Sequence, residues 1–330
     1  MTRCTANPVD PQVVRTRSRR SWAILERRSS RGHSPEALRR KEVTNRSLTS
    51  RPSSDNLQPP PLLQFSTARG TFPVVVLKKL AGSFKGRLWA YLDPLGRQVV
   101  YDATATHERA GPEAFLAGFR GYLQADAYTG YDALYASGRI TEVGCWAHGR
   151  RRFREALETD PRAASMLALV QELYRVEREA ESLSPEERKA ERQKCSVPVL
   201  ARIDELHFKL EAEVLPKSPL GEALRYLGNQ WTALNRFVLD GRLRPDNNGA
   251  ESQLRIVAVG RKNWLFAGSL TGARWAATLF SLVQSCRLAG IDPFLYFRDV
   301  LQRVPTHPQR LIGQLTPRAW AETLAKAVAA

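Results

Sequence analysis

The distribution of hydrophobic and polar positions divides the 330-residue chain into three parts. Residues 1–70 are rich in Arg, Ser and Pro and have almost no hydrophobic periodicity, which is typical of segments that cannot bury a core. Short apolar runs rich in β-branched residues come next, and from about residue 148 apolar residues recur at every third and fourth position. This order predicts a basic, disordered tail, then strands, then helices.

The middle part predicts a small β-sheet with a helix over residues 112–119. The sequence DPLG separates two of the apolar runs and favours a tight turn, so the first three strands are expected to form an antiparallel meander. Five strands are expected, at residues 72–77, 87–92, 98–101, 122–126 and 140–145.

The last part is predicted to be helical. Residues 176–194 are nearly all charged and predict a solvated helical hairpin that turns near Ser184 and Pro185. Residues 251–301 continue with helical apolar faces that glycines interrupt. Strands followed by a long helical block and then by more helix predict an α/β fold with a large helical insertion.

Composition and charge limit the classes of protein to which the chain can belong. With 43% hydrophobic and 25% charged residues the chain has enough apolar side chains to bury a core, so disorder over its whole length is excluded. Its length predicts about two domains. The net charge of +17 and the pI of about 10.2 favour a polyanionic partner, nucleic acid ahead of an anionic membrane. Residues 1–70, with 14 basic and 5 acidic side chains, hold more than half of that charge.

Cysteine spacing and hydropathy indicate the compartment. The four cysteines are far apart and form no CxxC pair, which fits a reduced cytosolic chain. No apolar run approaches the ~20 residues that cross a bilayer, and the start MTRCTANPVD lacks the apolar core of a signal peptide. We therefore expect a cytoplasmic protein.

Asp126 and Glu251 are the acidic residues with the most suggestive surroundings. Asp126 ends a predicted strand, where a carboxylate can hold a divalent cation or simply cap a turn. Glu251 follows Asp246–Asn248, which can cap a helix, and the helix dipole alone favours an acidic residue there. Three basic residues follow and indicate a phosphate-binding face beside Glu251: Arg255, Arg261 and Lys262.

A Cys-x-x-His element precedes a basic cluster. Cys145 and His148 could form half of a zinc site, but no second pair has a useful spacing, so we expect them to pack at a strand–helix junction as structural residues. The arginines that follow face either DNA phosphates or solvent: Arg150, Arg151, Arg152 and Arg154. Trp264 lies among basic and aromatic residues, which suits base stacking, although a core position explains it equally well.

The order of motifs resembles the transposases of the insertion-sequence-66 family. The motifs are GRLWAYL, GYLQADAYTGYDALY, EVGCWAHGRRRF, LPKSPLGEALRYLGNQW, DNNGAE and AVGRKNWLFAGS, and the resemblance continues through SLVQSCRLAGIDPFLYFRDVL and HPQRLIGQLTP to cover roughly residues 72–322. It implies an RNase H-like mixed sheet with a DDE triad of carboxylates and Mg²⁺ or Mn²⁺ as cofactor. The implied partners are insertion-element ends, target DNA and further copies of the chain, without a membrane.

The resemblance also assigns the site residues and the domains. Asp126 resembles the second triad aspartate and Glu251 the closing glutamate, so both would be catalytic and metal-binding. Cys145 and His148 resemble the Cys-x-x-His element of several such transposases. The expected domains are a tail over residues 1–70, the first part of the catalytic core over 71–149, a helical insertion over 150–240, and the rest of the core with a helical tail over 241–330.

The first triad aspartate is missing. The family carries it on the strand before GRLWAYL, where this chain reads Ala68–Pro73, and Asp55 is the only acidic residue between Glu42 and Asp93. Asp93 or Asp102, on neighbouring predicted strands, could take the place of the first triad aspartate, although roles in a turn and at a strand end also explain why these two residues are acidic. The resemblance thus implies an N-terminally truncated transposase with incomplete catalysis. The alternative is a non-catalytic DNA-binding remnant; charge and motifs disfavour a helical interaction protein without nucleic acid.

Overall fold

The computed structural model describes residues 61–67, 72–75, 83–106, 110–127, 131–264 and 267–329. Residues 1–60, and with them most of the expected tail, lie outside the described part of the chain. So do residues 68–71, which include part of the stretch where the sequence departs from the family.

A mixed sheet forms the centre of the fold. Strand β1 is antiparallel to β3, with Phe65 opposite Tyr91, and parallel to β5, with Leu63 opposite Leu123. Strand β3 pairs antiparallel with β4, and β5 pairs parallel with β6, which gives the order β4-β3-β1-β5-β6. Strand β2 pairs with the start of β3. The strands are β1 (Leu62–Thr67), β2 (Phe72–Val75), β3 (Ser83–Asp93), β4 (Gln98–Thr104), β5 (Gly121–Gln124) and β6 (Ile140–Val143).

The five predicted strands correspond to β2–β6. The predicted antiparallel meander is confirmed, because β2 and β4 both pair antiparallel with β3. Strands β5 and β6 end two residues earlier than predicted, at Gln124 and Val143. Asp126 therefore lies just beyond its strand rather than on it.

The expectation that residues 1–70 form a tail outside the fold is wrong at its C-terminal end. Leu62–Thr67 is the middle strand of the sheet, between β3 and β5, and Leu62 is buried in a core cluster. The strand follows the prolines at 59–61 and has no run of alternating residues long enough to stand out. Its burial comes from neighbours on both sides, which a local pattern does not reveal.

Helices make up most of the remaining described chain. A π-helical turn at Arg192–Ser196 joins α5 to α6 just before Pro198, which has no N–H to continue the α-helical hydrogen bonds. The helices are α1 (Ala110–Phe115), α2 (Asp132–Ala136), α3 (Trp146–Ala156), α4 (Ala163–Glu179), α5 (Pro185–Glu191), α6 (Val197–Glu213), α7 (Pro219–Asn235), α8 (Asn248–Trp264), α9 (Leu270–Ala289), α10 (Pro293–Arg303) and α11 (Pro317–Ala329), with 3₁₀ turns at Arg236–Leu239 and Gln309–Leu315. None of the described helices combines the length and apolarity that crossing a membrane requires.

Both faces of the sheet are covered. On one face Leu88 and Tyr101 pack against Leu254 of α8 and Ala277 of α9. On the other face, side chains of β3 and β5 pack against α1 and α2. Helix α9 also protects strand β4: Ser285 Oγ accepts from the Val99 N–H (3.0 Å) and donates to the Val99 carbonyl (3.1 Å). Hydroxyl groups thus satisfy backbone groups that a pairing strand would otherwise use.

The helical block α3–α7 shares one core with the sheet. Leu62 of β1 and Val143 of β6 belong to the same buried cluster as Phe153 of α3 and Leu227 of α7. The Trp146 indole at the start of α3 donates to the Leu234 carbonyl of α7 (2.9 Å). The block is therefore packed onto the sheet.

Removal of β1 should unfold the sheet. We expect a chain that begins at residue 69 to lose its cooperative thermal transition, because β1 supplies hydrogen bonds to both β3 and β5. The measurement is the thermal unfolding midpoint by circular dichroism. A chain that begins at residue 60 is the matched control because it keeps the strand, and equal midpoints for the two chains would contradict the central role of β1.

Candidate functional site

Two strand ends and two helix starts meet at one edge of the sheet. Strands β1, β5 and β6 are parallel, so their carboxyl ends lie at the same edge, where α/β proteins commonly bind ligands. Asp126 follows β5, and Cys145 follows β6 and directly precedes α3. The Trp146 N–H donates to the Pro245 carbonyl (2.9 Å), which holds the segment leading into α8 against the start of α3.

A buried pair of glutamines joins these elements. Gln64 on β1 and Gln124 on β5 lie opposite each other and are 2% and 0% exposed. Gln64 Nε2 donates to Gln124 Oε1 (2.9 Å) and to the Asp246 carbonyl (3.1 Å). Gln124 Nε2 donates to the carbonyls of Gly144 (3.1 Å) and Arg244 (2.7 Å). Since buried amide groups need partners, this pair fixes residues 244–246 against the sheet.

Helix α8 approaches β1 closely because Gly249 has no side chain. A Cβ atom there would lie 2.5 Å from Gln64 Oε1 and 2.9 Å from Leu92 Cδ2, both too short for real contacts. Glu251 follows two residues later, in the first turn of α8. Strand β1 therefore helps to set the position of Glu251.

Glu251 contacts His148 across the two helix starts. Glu251 Oε1 lies 3.4 Å from His148 Nε2, and the two side chains are 30% and 20% exposed. His148 Nδ1 is buried and has no hydrogen-bond partner within the described chain. His148 thus orients the Glu251 carboxylate through Nε2, and its Nδ1 forms no hydrogen bond with a described residue.

Cys145 is buried among packed protein groups. Its side chain is buried at the junction of β6 and α3. Burial raises the pKa of the Cys145 thiol to about 12, so it stays protonated at neutral pH. A neutral, enclosed thiol is a poor metal ligand and a poor nucleophile, because both roles require the thiolate.

Asp126 has an unsatisfied oxygen. Its side chain is partly buried, and Oδ1 is shielded from solvent without a hydrogen-bond partner in the described chain. A buried carboxylate oxygen without a donor is costly, so such an atom suits a cation as its partner. Burial raises the pKa of the Tyr135 and Tyr226 hydroxyls, and the negative charge of Asp126 raises both pKa values further.

The donors at this edge fit a divalent cation only in part. Carboxylate oxygens such as those of Asp126 and Glu251 are the ligands that Mg²⁺ and Mn²⁺ prefer, and the unsatisfied Asp126 oxygen agrees with that use. Within the described ranges, however, no three His, Cys, Asp or Glu side chains are grouped closely enough to hold a metal ion. The described chain thus lacks a three-ligand site.

Asp246 is a further carboxylate beside Glu251. Its Oδ2 accepts from the Tyr174 hydroxyl of α4 (2.8 Å), and its Oδ1 accepts from the Asn248 N–H at the start of α8 (3.1 Å). Burial is the main cause that raises the pKa of Tyr174, which keeps the hydroxyl protonated as a donor. Asp246 therefore caps α8, as the sequence suggested for residues 246–248, and is held by the helical block.

Within the described residues, neither possible substitute for the first aspartate is grouped with Asp126 and Glu251 closely enough to hold a metal ion. Asp93 Oδ1 accepts from the N–H groups of Leu95 and Gly96 (3.1 and 2.8 Å), so it caps the turn after β3. Asp102 pairs in register with Trp89, whose side chain packs on the face opposite α8. Burial raises the pKa of Asp102.

The predicted basic residues differ in their surroundings. Arg150, Arg151 and Arg154 are exposed on α3 and form no ion pair with a described carboxylate. The Arg152 guanidinium lies 4.5 Å from the Tyr226 ring centre, a cation–π contact with α7. Its position therefore serves packing as well as surface charge.

The second basic group lies on α8. Arg255 and Lys262 are exposed, and the Arg261 side chain lies outside the described part of the chain. Trp264 is half-buried and packs against the core shared by β3, β4, α8 and α9. Of the two readings that the sequence left open for Trp264, the contacts favour the core position.

Sequence reasoning missed the residues that hold the site together. Gln64 stands in the stretch assigned to the tail, and Gln124 and Tyr174 carry no motif of their own. For Asp246 the sequence predicts only a helix cap. A buried polar residue inside an apolar strand is the one local signal available, and it points to Gln124 within GYLQAD.

Comparison with known proteins identifies relatives. The family model described as "Transposase IS66 family" matches residues 71–275, and the model described as "IS66 C-terminal element" matches residues 281–318. Strand β1 lies just before the first match. No solved structure matches the chain.

Two curated relatives come from Sinorhizobium fredii (strain NBRC 101917 / NGR234). "Uncharacterized protein y4hP" is 34% identical over 268 residues, which cover 74% of this chain and 49% of the relative. "Uncharacterized protein y4jD" is 33% identical over 233 residues, which cover 66% of this chain and 46% of the relative. The chain spans about half the length of the curated relatives it matches.

Gly249→Ala should loosen the start of α8. The added methyl group would overlap Gln64 Oε1 and Leu92, so we expect a loss of about 1–3 kcal/mol in the free energy of unfolding, measured by urea denaturation. Gly118→Ala is the matched control, because nothing lies within 4 Å of its Cβ position. An unchanged midpoint for Gly249→Ala would show that the contact with β1 is not tight.

Proposed function

The chain belongs to the IS66 transposase family, and from that membership we propose that it binds the DNA of insertion-element ends next to Asp126 and Glu251. The observation that supports this proposal best is the contact between His148 and Glu251 at the sheet edge where β5 ends just before Asp126. Helix α3, which carries His148, also carries arginines outside any described ion pair. A DNA partner would keep the protein with the nucleoid in the cytoplasm, as a homo-oligomer when two ends are joined.

The proposal includes an RNase H-like core. The strand order β4-β3-β1-β5-β6, with three antiparallel strands followed by two parallel ones, supports it. The helical insertion of this core would be residues 150–240, which correspond to most of α3–α7. The first part of the core would end near residue 149, and the chain would return to it at residue 241.

In this proposal Asp126 and Glu251 are the carboxylates that hold Mg²⁺ or Mn²⁺, and we expect them within metal-bridging range of each other. When bound, the metal ions activate the attacking oxygen and stabilise the leaving oxygen of a phosphodiester. His148 orients Glu251 through the contact at 3.4 Å. The arginines of α3 hold the DNA backbone, together with Arg255, Arg261 and Lys262.

We further propose that the catalytic site is incomplete. Strand β1 has the sequence LLQFST, which contains no carboxylate, and the described residues contain no group of three metal ligands. A site with two carboxylates binds metal weakly and misplaces the attacking oxygen, which can cost ~10²-fold in rate. The second candidate function, a DNA-binding remnant without catalysis, is favoured by the same two observations.

DNA binding should depend on the α3 arginines. Replacement of Arg150, Arg151 and Arg154 by alanine should weaken binding to duplex DNA. The slope of the logarithm of the binding constant against the logarithm of the salt concentration should become less steep by up to ~2.7, since each phosphate contact contributes ~0.9. The measurement is fluorescence anisotropy over a series of salt concentrations.

A charge-matched control separates local contacts from net charge. Arg175, Arg202 and Arg303 each pair with a carboxylate at 2.7–2.9 Å, so their replacement by alanine removes the same charge elsewhere. Equal slopes for the two triple variants would show that the α3 cluster is only a solvated face.

Cleavage by the chain as it stands should be weak. We expect little strand cleavage of insertion-element ends with Mg²⁺ or Mn²⁺ in a gel assay, and what remains should disappear in Asp126→Ala. Asp102→Asn is the control, because Asp102 lies in register with Trp89, on the opposite face of the sheet. Robust cleavage that depends on Asp126 would contradict the incomplete site, and dependence on Asp102 would identify it as the substitute.

A carboxylate on β1 should raise activity if the third ligand is what the chain lacks. Gln64 lies opposite Gln124, and continuing that register by two residues brings position 66 level with Asp126. We expect Ser66→Asp to increase Mg²⁺-dependent cleavage by up to ~10²-fold. An inactive Ser66→Asp variant that still binds DNA would favour the remnant.

A further inference from the structure

The segment between α7 and α8 is held by side chains along nearly its whole length. Residues 236–247 carry the chain from the helical block back to the sheet edge where Glu251 lies. On the sheet side, the carbonyls of Arg244, Pro245 and Asp246 accept the hydrogen bonds described above. The preceding residues are held from the other side, by α5 and the π-helical turn.

Arg192 in the π-helical turn makes the largest number of these bonds. Its side chain is fully buried, and its guanidinium donates to both carboxylate oxygens of Glu177 on α4 (2.7 and 2.6 Å). It also donates to three carbonyls of the return segment, those of Phe237 (2.7 Å), Asp240 (3.1 Å) and Leu243 (2.9 Å). These bonds use all five N–H groups of the guanidinium, which is the full capacity of an arginine.

Two neighbours of Arg192 bind two further carbonyls of the return segment. Gln193 Nε2 donates to the Val238 carbonyl (2.7 Å), and Arg188 Nη1 donates to the Gly241 carbonyl (3.1 Å). Gly241 lies so close to α5 that a Cβ atom there would be 1.7 Å from the Pro185 carbonyl oxygen. Five of the seven carbonyls from Phe237 to Leu243 therefore accept a bond from this one helical stretch.

This arrangement leaves little freedom for the start of α8. Leu243, the last residue that Arg192 binds, directly precedes Arg244, the first that Gln124 binds. The bonds from the helical stretch and those from the sheet edge therefore meet at neighbouring residues of the return segment. A shift of the Arg192 end would be carried directly to Glu251.

We propose that Arg192 is a positioning residue for Glu251: its bonds to the return segment let the helical block determine where α8, and with it the Glu251 carboxylate, lies on the sheet. Glu177 fixes the guanidinium plane, and Arg188 and Gln193 complete the hold on the segment. The inference rests on the proposed role of Glu251, but its test measures placement without DNA or metal ion, so the two can fail separately.

The test is a distance measurement in the full chain. Spin labels at Ser252→Cys on α8 and Ala133→Cys on α2, both exposed positions, report the distance between α8 and the sheet. Cys4 is replaced by serine, and Cys145, Cys195 and Cys286 are buried and so protected from labelling. Pulsed electron paramagnetic resonance gives the distance distribution, and circular dichroism gives the thermal midpoint of the same samples.

Two variants remove the hold of Arg192 in different ways. Arg192→Leu with Glu177→Leu replaces the buried ion pair by apolar side chains, a change that often preserves stability. Arg192→Lys keeps the charge opposite Glu177, and with it the fold, but a lysine cannot make the forked bonds to the carbonyls. In both folded variants we expect the distribution to broaden and its mean to shift by at least ~1.5 Å, the rise of one helical residue.

The control is a charge-matched ion pair on the same helical block. Arg202→Leu with Glu172→Leu removes an exposed pair between α6 and α4 (2.7 Å) that does not contact the return segment, and should leave the distribution unchanged. A parental distribution in Arg192→Lys would overturn the proposal, even with a lowered midpoint, because Arg192 would then serve stability alone. If the double leucine variant fails to fold, Arg192→Lys decides the question.

Discussion

The site depends on one buried hydrogen-bonded pair, Gln64 and Gln124. Their amides are buried between two parallel strands, so each donor needs a partner within the protein. The acceptors are Gln124 Oε1 and the Asp246 carbonyl for Gln64, and the carbonyls of Gly144 and Arg244 for Gln124. Satisfying the pair therefore brings the end of β6 and the start of α8 to the strand ends. The contact between His148 and Glu251 follows from that convergence.

The helical block contributes to the same geometry from the other side. Tyr174 binds Asp246, and Arg192 binds the residues that precede it, so the cap of α8 is held by helices as well as by strands. The shared core with Leu62 and Val143 packs the block directly onto the sheet. The helical block therefore lies between Asp126 and Glu251 in sequence while the start of α8 is still held at the carboxyl ends of the strands.

Local patterns predicted some of these features and missed others for physical reasons. The turn near Ser184 and Pro185 is confirmed, because a capping box is encoded by neighbouring residues: Ser184 Oγ accepts from the Glu187 N–H, and the Glu187 carboxylate accepts from the Ser184 N–H. The expectation that the whole charged stretch is solvated is wrong at Arg192 and Glu177. These two residues form a buried ion pair across 15 positions of the sequence. Arg192 also binds the Phe237 carbonyl, 45 positions away, and a local pattern contains neither contact.

The sequence by itself determined the family, the succession of strands and then helices after residue 71, and Asp126 and Glu251 as the acidic candidates, because motifs, capping boxes and helical periodicity are local. Only the tertiary structure decided that Leu62–Thr67 is the middle strand, that Glu251 contacts His148, and that Asp102 lies on the opposite face of the sheet from α8. Each of these depends on strand register or on contacts between distant segments. Register is fixed by the fit of all neighbours at once, and no single stretch of sequence contains that information.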